Sequence, residues 1–328
     1  MALRNVMSRI LRVGVIGVGS MGKNHVRVLS SMREYDLIGC YDINQESSNA
    51  HAYLYGITAY TSPEELYRDV DVVTIAAPSF LHKEYALAAA RAGCHVLVEK
   101  PIALNISDAQ EIIDTCKHAG VRLCVGHVER YNPAIATLLQ IITQEELIAV
   151  DFQRMSPFYT RVADASVVED LMIHDIDILN AITASPVKRI VSHGARIYTD
   201  KLDYAQALIT YENDLVASVT ASRVTETKIR TARISARNCF ILIDYLNRTV
   251  EISRKTNFTL DVGYAVQYKQ ENIIEKVIVP IYEPLRSEFE HFAYCISSGD
   301  DIATSGEMGL KALRICHQIQ ENAIIGKG

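Results

Sequence analysis

Three groups of residues have types and spacings suited to chemistry. The first is Gly17-Val18-Gly19-Ser20-Met21-Gly22, which follows the apolar run Val13 to Ile16. Helical apolar spacing comes next, at Met21, His25, Val28, Leu29 and Met32. A G-x-G-x-x-G run between a strand and a helix is the context in which it binds a dinucleotide. Gly17 permits the tight turn, Gly19 leaves no Cβ in the path of a pyrophosphate, and Gly22 lets the helix press on the strand. The stretch through Ser20 and Met21 then offers N–H groups at the positive end of that helix. Asp42 ends the next apolar run, 20 residues beyond Gly22. Its carboxylate suits the two adenosine ribose hydroxyls and repels a 2′-phosphate, so NAD is expected over NADP. A solvated turn aspartate is the plainer alternative.

The second group is Glu99-Lys100-Pro101, directly after the apolar run His95 to Val98. Ligands of parallel sheets bind at the carboxyl ends of strands, and Lys100 stands at one of those ends. The alternative is a strand-end lysine paired with Glu99. The third group is Asp170, His174 and Asp177, on a helix expected to begin near Val168. Residues four apart share a helical face. An acid one turn to either side of a histidine fixes its tautomer and raises its basicity, which suits a general base. A structural histidine is the alternative. A metal site is the poorer reading, because one His with carboxylates is a poor zinc set and no second His or Cys lies at ligand spacing. Asp175 points away and serves structure.

These groups need elements to hold them. Gln45 to Tyr55 reads as a helix stopped by Gly56, and Ser62-Pro63-Glu64-Glu65 as a helix start, with Ser62 as N-cap and Glu65 closing a capping box. Val70 to Ala76 is a buried strand ending at Ala77-Pro78, and His82 heads the following helix. Ala77, Pro78, His82, Glu99 and Lys100 are therefore candidate cofactor contacts. A further helix starts at Ser107, and Val121 to Val125 closes the alternation. Such alternation implies α/β structure with a doubly wound parallel sheet. Gly126 to Asn132 is the crossover. There Arg130 and Asn132 are candidates for substrate hydroxyls or phosphate, and Tyr131 for stacking on a ring; a structural crossover is the alternative. His127 is as readily an interior histidine as a ligand contact. Ile148 to Met155 is the first strand of a second sheet, and the polar loop Ser156 to Val167 offers Arg161 as a substrate contact, with a solvated surface loop as the alternative. From Arg189 to Arg254 long β runs are joined by turns such as Glu212-Asn213-Asp214, which indicates antiparallel pairing. Lys255 to Ala265 is the least patterned stretch. Helices over Glu283 to Ser298 and Ser305 to Ala323 finish the chain.

The chain has 328 residues, a net charge of −6 and 49% hydrophobic residues. Two domains with sizeable cores are expected, and no basic character favours nucleic acid. Seven scattered cysteines without a C-x-x-C pair read as buried thiols in a reducing cytosol. No apolar run approaches the ~18 residues of a membrane span, and no secretory signal is visible.

Gly17 to Gly22 with His25, then Glu99-Lys100-Pro101, then Asp170-Leu171-Met172-Ile173-His174-Asp175-Ile176-Asp177, resemble the glucose–fructose oxidoreductase / inositol 2-dehydrogenase (Gfo/Idh/MocA) family. The resemblance implies a Rossmann NAD domain over residues 1–126. It implies a substrate and oligomerisation domain over residues 127–328, with a large open, mostly antiparallel sheet and a last helix able to pack back on the first domain. It also implies a homodimer or homotetramer. Gly126-His127-Val128-Glu129-Arg130-Tyr131-Asn132-Pro133 is similar to the subgroup that oxidises UDP-N-acetylglucosamine, or its uronate, at C3. On that resemblance Lys100, His174 and Asp170 are catalytic, and the 3-keto product passes to an aminotransferase. Oxidation of a free polyol and non-catalytic nucleotide sensing stay open as alternatives.

Overall fold

The computed structural model describes residues 9–158, 165–261 and 266–326, the side chains of 255–272 excepted. The chain forms two compact units, Met1–Tyr131 with Tyr282–Arg314, and Asn132–Ile281 with Ile315–Gly328.

In the first unit strands and helices alternate: β1 (Leu11–Ile16), α1 (Gly22–Leu29), β2 (Tyr35–Tyr41), α2 (Gln45–Tyr55), β3 (Thr58–Ala59), α3 (Pro63–Asp69), β4 (Val72–Ile75), α4 (His82–Arg91), β5 (His95–Glu99), α5 (Ile106–His118) and β6 (Leu123–Gly126). The six strands form one parallel sheet in the order β3-β2-β1-β4-β5-β6. Local chemistry sets the helix ends. Gly56 takes the left-handed conformation (φ 67°) that stops α2. Ser62 caps α3, but the Glu65 carboxylate accepts from the Thr61 hydroxyl at 2.8 Å, so the reciprocal half of the expected capping box goes to a neighbouring side chain. Asn105, not Ser107, caps α5, accepting from the Asp108 N–H at 2.9 Å while the Ser107 hydroxyl donates to it.

A parallel sheet must be covered on both faces. One face packs Leu66, Tyr67, Tyr85, Ile112 and Ile113 of α3 to α5. On the other face α1 supplies Val26, Val28 and Leu29. Leu97 of β5 and Cys124 of β6 on that face meet Leu285, Phe289 and Phe292, carried by α8 (Pro284–Ser298). This need for cover is why residues 282–314 return to the first unit. The return includes the start of α9 (Gly306–Glu321), where Gly306 and Gly309 lie against Leu123 and Val125.

The second unit holds α6 (Pro133–Ile141), β7 (Leu147–Met155), α7 (Ile173–Ile182), β8 (Val187–Ala195), β9 (Tyr204–Tyr211), β10 (Val216–Ser222), β11 (Ile229–Ala236), β12 (Cys239–Asp244), β13 (Thr249–Asp261), β14 (Val266–Val277) and β15 (Ala323–Ile325). Among the described residues its nine strands run in the order β14-β13-β12-β11-β7-β10-β9-β8-β15. Pairing is antiparallel except β7 with β10 and β8 with β15. The stretch from Lys255, which lacks apolar alternation, continues β13 to Asp261, paired through to Val266. Backbone hydrogen bonds of a long hairpin need no alternation of side chains. The tail of the last helix is likewise a strand: β15 covers the edge of β8, which limits pairing with other chains. Among the described residues no helix is long and apolar enough to cross a membrane.

Candidate active site

The glycine loop has the geometry its spacing requires. Gly17 has φ 81°, and a Cβ on it would meet the Ala77 nitrogen at 2.8 Å, so the Ala77-Pro78 loop lies against it. A Cβ on Gly22 would stand 1.7 Å from the Gly17 carbonyl oxygen, so the close contact of α1 with the loop excludes any side chain. Gly19 differs: nothing lies within 4 Å of where its Cβ would be. Gly19 and Ser20 are exposed and Met21 is half-buried at the start of α1. Asp42, just past β2, accepts from the Val18 N–H at 2.8 Å through one carboxylate oxygen and from the Asn44 N–H at 2.9 Å through the other. The acid is thereby fixed beside the loop. Open space over Gly19 together with an anchored acid at the end of β2 fits a dinucleotide with a free ribose diol.

The ends of β4 and β5 carry the next residues. His82 is buried, with Nδ1 2.8 Å from the Pro101 carbonyl and Nε2 2.9 Å from the Ala77 carbonyl. It ties the Ala77-Pro78 loop to the segment after Lys100. Burial lowers its pKa, against the two carbonyl contacts that raise it. His82 therefore sits beneath the cofactor loops rather than on their surface. Glu99 is also buried. One of its oxygens lies 2.9 Å from His25 Nε2 and the other accepts from the Lys100 N–H at 3.3 Å. Burial opposes ionisation of Glu99, but the hydrogen bond and charge of His25 and the charges of Lys100 and His82 outweigh it, and its pKa is lowered. Lys100 is half-buried, and the Lys100–Pro101 peptide is cis.

At the crossover His127 is buried. The Tyr131 hydroxyl is 3.2 Å from the Thr304 hydroxyl, and its ring packs at 5.7 Å on the His291 ring. The ring expected to stack on substrate thus packs inside the first unit. Arg130 lies near the Ala303 carbonyl, at 3.5 Å. Asn132 caps α6 by accepting from the Ala134 N–H at 3.0 Å.

In the second unit Asp170 and His174 are half-buried on one continuous helical segment. Its first part, Val168–Met172, is a π-helical turn and only then does α7 begin. The α-helical spacing assumed from the sequence is therefore widened at Asp170. Such turns recur at functional sites. Asp175 points away from these two, as expected, and is bound by Arg154 of β7 through two contacts of 2.9 and 2.8 Å, both residues being 1% exposed. The Arg154 guanidinium also lies 5.7 Å from the Tyr245 ring centre. Asp177 is buried. Arg161 lies outside the described residues. The sequence signal overlooked Arg154, and it gave His25 no partner. In the sequence His25 reads as a member of an apolar helical stripe and of the motif that resembles the family, and Arg154 as an ordinary strand residue.

The glycine loop, Asp42, Ala77, His82, Glu99 and Lys100 thus gather at the carboxyl ends of the parallel sheet, while Asp170 and His174 share one helix of the other unit. A family described as an oxidoreductase family with an NAD-binding Rossmann fold matches residues 11–127. The GFO/IDH/MocA C-terminal domain matches residues 110–238. The chain is 30% identical over 310 residues to the UDP-N-acetylglucosamine 3-dehydrogenase of Acidithiobacillus ferrooxidans, covering 94% of this chain and 96% of that one. The solved structure of an enzyme of that name and organism matches with a TM-score of 0.88 over 96% of this chain and 98% of that chain. Glucose-6-phosphate 3-dehydrogenase of Bacillus subtilis is 33% identical over 150 residues, 44% of this chain and 43% of that one. The full-length similarity and the two matched domains establish that the chain belongs to the Gfo/Idh/MocA family of NAD-binding oxidoreductases.

Proposed function

We propose that this protein oxidises a secondary alcohol of a sugar nucleotide, UDP-N-acetylglucosamine or its uronate at C3, to the 3-keto sugar. The observation that carries this reading is the similarity to a UDP-N-acetylglucosamine 3-dehydrogenase along nearly the whole of both chains. The second relative is also named for oxidation at C3 of a sugar.

Residues 17–22 and Asp42 hold NAD by its pyrophosphate and adenosine ribose. When bound, NAD would supply the hydride acceptor. Lys100 donates a hydrogen bond to the oxygen of the reacting carbinol. His174 takes the hydroxyl proton. Its Nδ1 is buried, which leaves Nε2 as the transferring atom. A positioned base of this kind contributes ~10²–10⁴-fold. Asp170, on the π-helical turn, orients the sugar or the imidazole. Arg130 binds hydroxyl or phosphate oxygens. The protein's share is position and charge, since the hard chemistry belongs to the cofactor.

The test is NADH formation, followed by absorbance, with UDP-N-acetylglucosamine and with its uronate, beside Lys100→Ala and His174→Ala. NADH from the wild type and none from either variant is expected. If no NADH forms, addition of 2-oxoglutarate tests for a cofactor reoxidised in place, read as 3-keto product. Silence in both arms, with turnover of a free polyol instead, refutes the sugar-nucleotide assignment.

A further inference from the structure

His25 is completely buried one turn into α1, three residues beyond Gly22. Its two ring nitrogens reach two strands of the sheet. Nδ1 is 2.7 Å from the Thr74 hydroxyl of β4, and Nε2 is 2.9 Å from the Glu99 carboxylate of β5. The second oxygen of that carboxylate accepts from the Lys100 N–H. The end of β6 closes the remaining side, where a Cβ on Gly126 would come within 3.0 Å of the carboxylate. The Phe289 ring of α8 seals the outer face of His25, edge-on at 5.3 Å. One imidazole thus joins the helix behind the glycine loop to the strand end that presents Lys100.

Glu99 was a candidate for cofactor contact by its place in the chain. The geometry gives its carboxylate inward work. A buried carboxylate is kept only where hydrogen bonds and opposite charge surround it. Here His25 supplies the hydrogen bond, and Lys100 adds positive charge. Removing either partner would leave a buried ring nitrogen or a buried carboxylate oxygen without its hydrogen bond. Both would then shift, and the Lys100 N–H bond with them.

We propose that His25 and Glu99 are positioning residues that couple the nucleotide-binding helix to Lys100, so that the seat of the dinucleotide and the orientation of the lysine are set together. The chain of contacts runs from α1, through His25, Glu99 and the Lys100 N–H, to the Lys100 side chain. Thr74 fixes the ring's rotation from behind. The part of this proposal that concerns Lys100 in turnover rests on the sugar dehydrogenase reading above; the part that concerns NAD affinity does not.

The experiment compares His25→Gln, Glu99→Gln and the double variant, with Thr74→Val as a milder change should the first two fold poorly. NAD dissociation constants are measured by titration calorimetry, which needs no sugar. Each single variant is expected to bind NAD about fivefold more weakly, and the double variant no more weakly than either single one, because all break the same link. Where a sugar substrate is turned over, kcat falls about tenfold with the sugar KM unchanged. The acidic limb of the kcat profile stays where the wild type has it, since His174 is untouched. Thr74→Ser keeps the hydroxyl and should keep NAD affinity and kcat near wild type where Thr74→Val lowers both. NAD affinities equal to wild type in folded single variants, or losses that multiply in the double variant, overturn the coupling. Turnover lost with NAD affinity intact also overturns it, and points to separate roles for the two residues. Failure of every sugar substrate leaves the binding arm readable.

Discussion

Two single-methyl substitutions in the glycine loop should separate folding from nucleotide binding. At Gly22 a Cβ would lie 1.7 Å from the Gly17 carbonyl oxygen and 2.7 Å from its carbon. Real Cβ atoms keep at least 3.0 Å from such atoms, so about 1.3 Å of movement must be found. The obstacle is backbone, and α1 is held from behind by the His25 contacts, so neither side yields easily. Overpacking of this kind costs about 1–3 kcal/mol. Taking the upper end, Gly22→Ala should lower Tm by about 6–12 °C, at about 2–4 °C per kcal/mol for a unit of this size. At Gly19 nothing lies within 4 Å of the added methyl and the backbone is not left-handed. Gly19→Ala should therefore melt with the wild type, within the ~0.5 kcal/mol typical of surface changes. Its methyl occupies the approach of the pyrophosphate, and loss of one charged hydrogen bond there is worth about 1.5–3 kcal/mol. That corresponds to NAD binding about 10- to 150-fold weaker. Calorimetric melting and NAD titration read the two quantities independently. Wild-type NAD affinity in Gly19→Ala, or wild-type melting in Gly22→Ala, would refute the reasoning.

Other expectations follow from the same geometry. Asp42→Ser removes the charge that opposes a 2′-phosphate, and the ratio of NADP to NAD affinity should rise at least about tenfold (1.4 kcal/mol per decade), measured by competitive titration. Arg154→Ala removes both guanidinium contacts from the buried Asp175 carboxylate and should cost about 3–5 kcal/mol in urea unfolding; a loss below about 1 kcal/mol would show that the pair is not needed for stability. Asp203 is buried, which opposes its ionisation, but the N–H groups of Ile197, Tyr198 and Thr199, at 2.7, 2.7 and 3.0 Å, outweigh burial and lower its pKa. Its contribution is present above the unfolded carboxylate value of ~3.9 and is lost as pH falls through the lower folded value. Asp203→Asn should therefore be less stable at neutral pH and show a flatter fall in Tm below about pH 4; an unchanged acid limb would contradict this.

Local chemistry made much of the first unit legible. The glycine spacing, the cap at Ser62 and the stop at Gly56 are each decided within a few residues, and each stands where the sequence puts it. What could not be read is set at long range. Nothing within 282–298 says that Phe289 and Phe292 will cover Leu97 and Cys124. The three residues of β15 are too few to show a period. The π-helical turn at Val168–Met172 places Asp170 by backbone geometry that residue spacing does not encode. Around the candidate site, residue type identified which groups matter but not which way they face. His82, Tyr131 and Asn132 all spend polar atoms on the fold itself, on two carbonyls, a threonine hydroxyl and a helix end.

The cysteines give this fold an internal clock for opening. All seven thiols are buried and unpaired by disulfides, and burial raises Cys40 and Cys94 to about 11 and Cys116 to about 12. Thiolate is the reacting form, so a thiol reagent at neutral pH should find almost nothing to modify in the native state. Five of the seven, Cys40, Cys94, Cys116, Cys124 and Cys295, belong to the first unit, and Cys239 and Cys316 to the second. Labelling stoichiometry during slow denaturation therefore counts which unit opens first, without any engineered probe: two fast equivalents signal the second unit, five the nucleotide fold.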